Sequence, residues 1–245
     1  MIEGIGELQS YIDQSKRIVF FGGAGVSTES GIPDFRSRDG LYSQKYKYPP
    51  ETMLSYSFFV QNPQEFFRFY FDKVIHRDAK PNSAHLKLAE LERSGKLSAV
   101  ITQNIDGLHQ AGGSERVLEL HGSVHRNYCM DCHRAYTLAD MIDMCEEPRC
   151  ACGGTVRPDV VLYEEALDHR VMKEAEDFLR RADLLIVGGT SLVVYPAAGL
   201  LSYYNGPLIL INKGETGYDR RASLLIRESI GEVLGQIDAG QTDAG

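Results

Sequence analysis

The chain has 245 residues, of which 43% are hydrophobic and 24% are charged, and its formal net charge is -8. This length suits one large α/β domain, or one domain with a smaller insertion, and the apolar content can fill a sizeable core. The negative charge argues against specific nucleic-acid binding, because nucleic-acid surfaces attract basic patches. No apolar run reaches about 18 residues, so we expect no membrane span. We also see no signal peptide and therefore expect a cytoplasmic protein.

Apolar runs alternate with helical stretches along most of the chain. Several runs are continuously apolar, as expected for strands that are buried on both faces of a parallel sheet. Strands are predicted at 17–21, 97–103, 156–162, 184–188 and 208–212. Helices are predicted near 3–14, 62–75, 82–94, 137–145, 168–181 and 222–236. The alternation predicts an α/β fold with a Rossmann-like, doubly wound parallel sheet.

Two stretches interrupt this alternation. Residues 37–60 are rich in Tyr, Ser and Pro, and residues 125–154 contain all the cysteines. We expect both to be insertions that sit together as a smaller domain with a zinc ribbon. The predicted large domain comprises 1–36, 76–124 and 155–238, the small domain comprises 37–75 and 125–154, and 239–245 form a disordered tail.

A glycine-rich loop follows the first predicted strand directly. Gly23 and Gly25 allow close backbone approach, which a strand end needs in order to hold a diphosphate. Ser27 and Thr28 add hydroxyl groups where a helix would begin. A loop of this kind, taken alone, is weak evidence, because it is also consistent with an ordinary strand-to-helix turn.

The cluster Pro33-Asp34-Phe35-Arg36 makes that ordinary interpretation weaker. Arg36 can pair with a phosphate in bidentate fashion, and Phe35 could cover a ring or a reactive carbon. The acidic residue that grips the adenosine ribose in dehydrogenases is not evident at the end of the second strand. The sequence therefore argues against simple hydride transfer.

Polar residues follow the strand that begins at Leu97. Gln103, Asn104 and Asp106 come at its carboxyl end, where ligands bind in open α/β sheets, although the same residues could simply cap the next helix. Further along, His121 follows a short apolar run and is a candidate general base, since an imidazole titrates near neutrality. A single histidine is more often structural than catalytic.

All five cysteines lie between positions 129 and 152. Cys129 and Cys132 form a C-x2-C pair, and Cys150 and Cys152 form a C-x-C pair, with 17 residues between the pairs. This spacing is typical of a structural Zn²⁺ ribbon in a reducing compartment. Four thiolates would leave no open coordination position. Cys145 and His133 are possible substitute ligands, and we favour Cys145 as a free thiol.

Two β-prone segments, 157–165 and 188–196, could each lend an edge to an extended peptide, or could be plain sheet core followed by a turn. Gly189, Thr190 and Ser191 resemble a second phosphate or ribose contact at a strand end. Asn212 follows the last predicted strand and is a further polar candidate at the rim.

Taken together, these motifs resemble the sirtuin family of NAD-dependent protein lysine deacylases. The matching runs are Gly-Ala-Gly-x-Ser leading into Gly-Ile-Pro-Asp-Phe-Arg at 23–36, Thr-Gln-Asn-Ile-Asp-Gly-Leu-His at 102–109, His-Gly at 121–122, the cysteine ribbon, and Gly-Thr-Ser-Leu-x-Val-x-Pro at 189–196. The resemblance spans about residues 5 to 235 and implies a Rossmann-like domain, a small zinc domain and a substrate cleft between them.

The resemblance assigns expected roles to individual residues. His121 would be the base, with Asn104 and Asp106 beside it in catalysis. The residues expected to bind NAD are Gly23, Ala24, Gly25, Ser27, Thr28, Asp34, Phe35, Arg36, Gln103, Ile105, Gly189, Thr190, Ser191 and Asn212. Zn²⁺ would be held by Cys129, Cys132, Cys150 and Cys152. The acyl-lysine peptide would lie against Val161, Tyr163 and Val193.

The implied activity is NAD-dependent deacetylation of protein lysines, with nicotinamide and O-acetyl-ADP-ribose as products. The alternatives on the same scaffold are protein ADP-ribosylation and removal of longer acyl groups. The chain departs from the family pattern at Gly22, where many members have Thr, and at Tyr163-Glu164-Glu165, which replaces the frequent Phe-Gly-Glu. Tyr70-Phe71-Asp72-Lys73 lacks the Arg of members that prefer acidic acyl groups, so we expect acetyl.

Overall fold

A six-stranded sheet forms the centre of the protein. The computed structural model describes residues 2–35, 40, 46–144 and 146–240. The strands are β1 (Ile18–Gly22), β2 (Leu97–Thr102), β3 (Val117–Glu119), β4 (Gly122–Cys129), β5 (Ala135–Tyr136), β6 (Val156–Val160), β7 (Leu184–Gly188), β8 (Leu208–Ile211) and β9 (Leu224–Ile226). The α-helices are α1 (Ile5–Gln14), α2 (Pro50–Met53), α3 (Tyr56–Gln61), α4 (Pro63–Phe69), α5 (Ser83–Arg93), α6 (Leu108–Ala111), α7 (Leu138–Asp143), α8 (His169–Arg181) and α9 (Ile230–Leu234).

The central sheet has the strand order β3-β2-β1-β7-β8-β9, and every neighbouring pair is parallel. Chain order therefore reverses between β1 and β7, as in a doubly wound dinucleotide-binding sheet. The predicted Rossmann-like fold is confirmed. Because ligands bind at such a reversal, beyond the carboxyl ends of the strands, the topology directs attention to the loops that follow β1 and β7.

Adjacent side chains of the central strands serve two separate cores. Phe20 and Phe21 are both fully buried and lie on opposite faces of β1. The Phe20 face is covered by α1, α5 and α9, and the Phe21 face by α8 and the 3₁₀ segment Ala197–Tyr203. This two-sided burial explains why the strands read as continuous apolar runs. Ala239 of the predicted tail is buried in the first core, and residues 241–245 lie outside the described part.

A second sheet is antiparallel and has the order β5-β4-β6. It shares a third core with α2, α3, α4 and the π-helical turn Tyr70–Val74 that continues α4. Met53 and Phe58 from the first insertion and Cys129 and Met141 from the second are buried in that core. The two segments that interrupt the alternation thus meet around one apolar centre, while the exact domain boundaries stay predictions.

The structure corrects two predicted elements. The run 156–162 forms β6, which pairs antiparallel with β4 in the second sheet and does not enter the parallel sheet. The predicted helix 222–236 is wrong, because Leu224–Ile226 pair with β8 as the edge strand and only Ile230–Leu234 are helical. Both errors arise because a short apolar run does not reveal which strand it pairs with.

The segment after β1 also differs from the prediction. Two 3₁₀ turns, Ala24–Val26 and Thr28–Ser30, occupy the place where an α-helix was expected to begin. The α5 prediction is confirmed at its start, where the Asn82 side chain accepts a hydrogen bond from the Ala84 N–H and His85 completes a capping box. Within the described residues, no helix is both long and apolar enough to cross a membrane.

Candidate functional site

The loops after β1 and β7 interlock at the reversal of strand order. The Gly25 N–H donates a 2.8 Å hydrogen bond to the Gly189 carbonyl. A side chain at Gly25 would place its Cβ 2.7 Å from the Gly189 Cα, and one at Gly23 would place its Cβ 2.9 Å from the Thr190 Cβ. Real Cβ atoms do not approach so closely. The glycines are therefore required by the packing of the two loops, in addition to any ligand they hold.

A buried hydrogen-bond chain joins the first two sequence motifs. The Ser27 hydroxyl donates to the Asp106 Oδ2 at 2.6 Å and accepts from the Asn104 side-chain amide at 3.0 Å. Asp106 also accepts from the Leu108 N–H at 2.9 Å through its other oxygen. Ser27 is 1% exposed and Asn104 is 8% exposed. The structure thus brings these polar residues of the β1 and β2 loops together and fixes their side chains.

Residues after the neighbouring strands line the same edge. The Gln103 amide donates to the Thr190 Oγ1 at 3.1 Å, which joins the β2 loop to the β7 loop. Asn212, directly after β8, donates through its side chain to the Gly214 carbonyl at 2.9 Å. Thr28 donates to the Gly25 carbonyl at 2.9 Å. Ala24 and Ser191 are half-buried within the same two loops.

His121 lies between the two sheets, immediately before β4. Its Nδ1 is 2.9 Å from the Gln103 carbonyl oxygen. Since a carbonyl only accepts, Nδ1 carries the proton and Nε2 has the free lone pair. Burial lowers the pKa of His121 below its usual value of about 6.5, and the hydrogen bond to Gln103 opposes that effect. The imidazole is therefore neutral near pH 7 and can accept a proton at Nε2.

The residues after the glycine loop approach the third core. Phe35 is half-buried and packs against that core, and Ile105 packs against the same core from the β2 loop. The Ile105 carbonyl accepts the Val124 N–H at 3.0 Å. Asp34 is also half-buried. Arg36 lies outside the described residues, so its expected contact with phosphate stays a prediction.

The candidate peptide edge begins beside His121. The Val161 N–H donates to the His121 carbonyl at 3.0 Å. Tyr163 is 40% exposed and Val193 is 56% exposed, so both side chains are accessible to a ligand. Both backbone groups of Tyr163 are already engaged, because its N–H donates to Leu54 and its carbonyl accepts from Tyr56. The Val161 and Leu162 N–H groups are engaged as well, by the His121 carbonyl and the Glu165 carboxylate, so strand addition cannot use the N–H groups of residues 161–163.

Four cysteines form a cluster at the end of the second sheet. The Sγ atoms of Cys129, Cys132, Cys150 and Cys152 all lie within 4.8 Å of one another, and the described residues place no fifth metal ligand among them. The Cys129–Cys152 and Cys132–Cys150 sulfur atoms are 3.5 Å apart. A tetrahedral zinc site with Zn–S bonds of about 2.3 Å needs sulfur separations of about 3.8 Å. The cluster fits that requirement.

Other contacts support the cysteine cluster. The Tyr136 hydroxyl donates to the Cys150 Sγ at 3.0 Å, as outer-shell partners of a thiolate do. A side chain at Gly154 would place its Cβ 2.7 Å from the Cys129 Sγ, so the chain approaches the cluster closely there. His133 does not belong to the cluster. Cys145 lies outside the described residues.

The structure adds contacts that sequence reasoning missed. Asn82, predicted only as a helix cap, donates through its side chain to the Val26 carbonyl at 2.7 Å and to the Ser30 Oγ at 3.0 Å. Nothing in the sequence relates position 82 to the glycine loop. His85 and His109 are also buried together, with ring centroids 4.7 Å apart. Their burial behind the loop carried no sequence signal beyond the helical pattern.

Tyr70 has no access to a ligand cleft. It is fully buried, its ring stacks on Phe66 at 5.8 Å, and burial raises the pKa of its hydroxyl. Lys73 pairs with the adjacent Asp72 at 3.0 Å. The described residues of this segment therefore form no pair of groups that would bind an acidic acyl chain.

A comparison with protein families decides the ancestry of the chain. The model of the Sir2 family matches residues 23–196. The chain belongs to the Sir2 family. Among Sir2 relatives, a protein of Clostridium acetobutylicum named NAD-dependent protein deacetylase is 57% identical over 239 residues, which covers 96% of this chain and 98% of the relative. One of Staphylococcus aureus with the same name is 46% identical over 230 residues, covering 93% and 95%.

Solved Sir2 structures have the same fold. A structure titled as Sir2 with a p53 peptide and NAD+ is 41% identical, covers 94% of this chain and 95% of its own, and superimposes with a TM-score of 0.84. A Sir2 variant with a deacetylated p53 peptide and 3'-O-acetyl ADP-ribose is also 41% identical, with the same coverage and a TM-score of 0.87.

Proposed function

We propose that this Sir2 protein is an NAD-dependent protein lysine deacetylase. It transfers the acetyl group of an acetylated lysine to ADP-ribose and releases nicotinamide and O-acetyl-ADP-ribose. Relatives at 46% to 57% identity are named for this activity, and Sir2 structures hold acetylated peptide and the acetylated product. The observation that carries the proposal is a neutral His121 with its Nε2 available, next to the polar chain of Asn104, Ser27 and Asp106.

The dinucleotide is proposed to lie across the reversal of strand order. The glycine loop from Gly23 to Thr28 is proposed to hold the diphosphate. The N–H groups of Gly25, Val26 and Ser27 already donate to backbone carbonyls, so this contact falls to the other donors of the loop. Thr190, Ser191 and Asn212 are proposed to contact the adenosine half, because they follow β7 and β8 on that side of the reversal. Arg36 is proposed to pair with phosphate.

Asn104 and Asp106 are proposed to orient the nicotinamide ribose. Ser27 fixes both side chains, so that neither has to reorganise when the substrate binds. NAD supplies a ribose carbon that becomes electron-poor as nicotinamide leaves, and the acetyl oxygen attacks that carbon. The Asp106 carboxylate stabilises the positive charge that develops nearby. Phe35 and Ile105, both packed against the third core, are proposed to keep water away from this carbon.

His121 is proposed to act as the general base. Its Nε2 would accept a proton from a ribose hydroxyl, which could then attack the acetyl carbon. Water would add to the same carbon, the lysine amine would leave with a proton, and the acetyl group would remain on the ribose as an ester. The Gln103 carbonyl holds the opposite nitrogen and stabilises the tautomer that this step requires. Because burial lowers the pKa of His121, a larger fraction of its imidazole is deprotonated at neutral pH than in a free histidine.

The acetylated protein is proposed to bind along Val161, Tyr163 and Val193. Val161 is bonded to the backbone of His121, so a lysine threaded past this residue would bring its acetyl group towards the base. Because Tyr70 is completely buried, it offers no contact to an acidic acyl chain, which is consistent with acetyl as the preferred acyl group.

Zn²⁺ is proposed to be structural. The four cysteine thiolates would fill a tetrahedral shell, which leaves no position for a substrate or an activated water. The metal would stabilise the second sheet and supply no chemistry to the reaction. Clustered cysteines that hold a metal instead of forming disulfides are typical of a reducing compartment, and we infer that the protein acts in the cytoplasm.

The test is nicotinamide release from NAD in the presence of an acetyl-lysine peptide. The matched control is the same peptide with an unmodified lysine. We expect release to require the acetyl group, because the acetyl oxygen is the nucleophile. Equal release with both peptides would contradict deacetylation and would favour transfer of ADP-ribose to the protein.

A further inference from the structure

Glu164 adopts a backbone conformation that is unfavourable for its residue type. Its φ is 78°, in the left-handed region that glycine tolerates and that other residues usually avoid. The side chain is exposed, so core packing does not force this geometry. Such a conformation persists only where surrounding interactions compensate for it.

The compensating interaction is a two-point contact with helix α3. The Glu164 carboxylate accepts a hydrogen bond from the Ser57 N–H at 2.9 Å through one oxygen and from the Ser57 hydroxyl at 2.9 Å through the other. Ser57 lies in the first turn of α3, where backbone N–H groups have no partner within the helix. Among the described residues, no lysine or arginine forms an ion pair with Glu164. The carboxylate therefore serves this contact alone.

The neighbouring backbone is joined to the first residue of the same helix and to Leu54, which precedes it. The Tyr163 N–H donates to the Leu54 carbonyl at 3.0 Å, and the Tyr163 carbonyl accepts from the Tyr56 N–H at 3.0 Å. Three consecutive contacts thus join residues 163–164 to residues 54–57. At the other end, Val161 is bonded to His121. The segment Val161–Tyr163 is held between the proposed base and α3.

We propose that Glu164 is a positioning residue that fixes Val161–Tyr163 before the acetylated peptide binds. The frequent family sequence at this point has glycine, which would adopt the same φ without strain but could make no side-chain contact. Glutamate adopts this φ at an energetic cost, but its side chain can contact Ser57. The free enzyme then presents an ordered edge, and the peptide does not have to order it on binding. The part of this inference that concerns the peptide rests on the proposed function.

The first test measures amide hydrogen exchange in the free enzyme and does not depend on activity. In Glu164→Gly, the Tyr56 and Tyr163 amides should exchange roughly tenfold faster, since loss of the adjacent Glu164–Ser57 contact lets the two segments separate more often. The Ile186 amide in the central sheet should not change. Glu164→Gln keeps one acceptor oxygen, so its exchange rates at Tyr56 and Tyr163 should lie between those of Glu164→Gly and those of the unmodified enzyme. Unchanged exchange at Tyr56 and Tyr163 in Glu164→Gly would overturn the proposal.

The second test separates binding from chemistry. Glu164→Gly should raise the KM for an acetyl-lysine peptide several-fold, while kcat and the KM for NAD stay within about twofold, because ground-state positioning of the peptide is lost. Ser57→Ala should act in the same direction, and the double variant should show less than the sum of the two effects. Glu174→Gln, an exposed carboxylate on α8, is the matched control and should behave like the unmodified enzyme.

The outcomes distinguish this proposal from the proposed function. Faster exchange with an unchanged peptide KM, or an equal loss in kcat, would overturn the positioning role. If the unmodified enzyme does not deacetylate any peptide, the proposed function fails, and the exchange experiment still decides whether Glu164 orders the segment.

Discussion

His121 combines two properties that suit a base. Its Nδ1 is committed to the Gln103 carbonyl, and burial lowers its pKa. The active form is the neutral one, so activity is retained above the pKa and is lost as pH falls through it. We predict that kcat/KM declines in acid with an apparent pKa below about 6.5. The pH dependence of deacetylation at saturating NAD provides the measurement.

The control for that profile is the variant His121→Ala. It should reduce kcat by about 10² to 10⁴, the usual contribution of a general base, and should remove the acid limb. A variant that keeps full turnover, or an acid limb that survives in it, would assign the titration to another group.

Ser27 is the residue on which Asn104 and Asp106 both depend. It is 1% exposed and contacts both side chains. We predict that Ser27→Ala lowers the free energy of unfolding by about 1–3 kcal/mol, because buried partners are left unsatisfied. It should also reduce kcat/KM for NAD. Thermal unfolding and steady-state kinetics measure both effects.

The matched control for Ser27→Ala is Ser10→Ala on α1, whose exposed hydroxyl donates to the Gly6 carbonyl. That variant should leave both quantities almost unchanged. Similar effects of the two substitutions would contradict the role of Ser27 as a link between the two motifs.

Helices α5 and α6 meet through a buried pair of histidines. Burial lowers the pKa of His109 to about 3 and that of His85 to about 4. In the unfolded chain both titrate near 6.5. Unfolding therefore takes up protons below that value, so this stability is complete above about pH 6.5 and is lost as pH falls towards 4.

We predict that the free energy of unfolding falls by up to about 1.4 kcal/mol per pH unit for each histidine in that window. His109→Leu removes one titrating ring whose nitrogens have no partner within the described residues, and it should flatten the dependence. Denaturant unfolding between pH 7 and pH 4.5 measures the slope. An unchanged slope in His109→Leu would show that other groups control acid unfolding.

Helices and strands that have a clear local sequence pattern could be predicted. Strands that form only by pairing with a neighbouring strand could not. The apolar runs of β1 and β7 and the Asn82 cap of α5 lie within the sequence that forms them. Strand β3 has three residues, and β9 becomes a strand only because β8 lies beside it. Strand β4 was not predicted either, because it depends on pairing with β6, and its register shifts between Ser123 and Asn127.

The residues of the candidate site show the same difference between local sequence patterns and contacts that form only on folding. The motifs that place Gly25, Asn104 and His121 at strand ends could be read from the sequence, because parallel strands deliver their carboxyl ends to one edge. Contacts between distant positions could not. Asn82 reaches the Val26 carbonyl across 56 positions, and Glu164 reaches Ser57 across 107 positions. Neither pair shares a local pattern, so only the folded chain reveals them.

For the molecule as a whole, the cysteine cluster should stabilise one of the two sheets. The cluster lies at the end of the second sheet, and Cys129 and Cys150 are part of the third core. We predict that removal of zinc by a chelator unfolds β4–β6 and abolishes activity, while the parallel sheet persists. Amide exchange should then rise at Cys129 in β4 and stay low at Ile186 in β7.

Two variants sharpen the zinc experiment. Cys132→Ser should lose metal and reproduce the effect of the chelator. His133→Ala changes the adjacent residue, which is outside the cluster, and should retain zinc and the fold. A folded, active protein after complete removal of zinc would contradict a structural role for the metal.

The central claim is that the acetyl group of a lysine ends on ADP-ribose. It is tested most directly by mass spectrometry of the products formed from NAD and a peptide whose acetyl-lysine carries deuterium in the acetyl group. The account predicts equal amounts of nicotinamide, free lysine peptide and ADP-ribose ester that retains the labelled acetyl. Labelled free acetate formed without that ester, or ADP-ribose attached to the peptide, would contradict it.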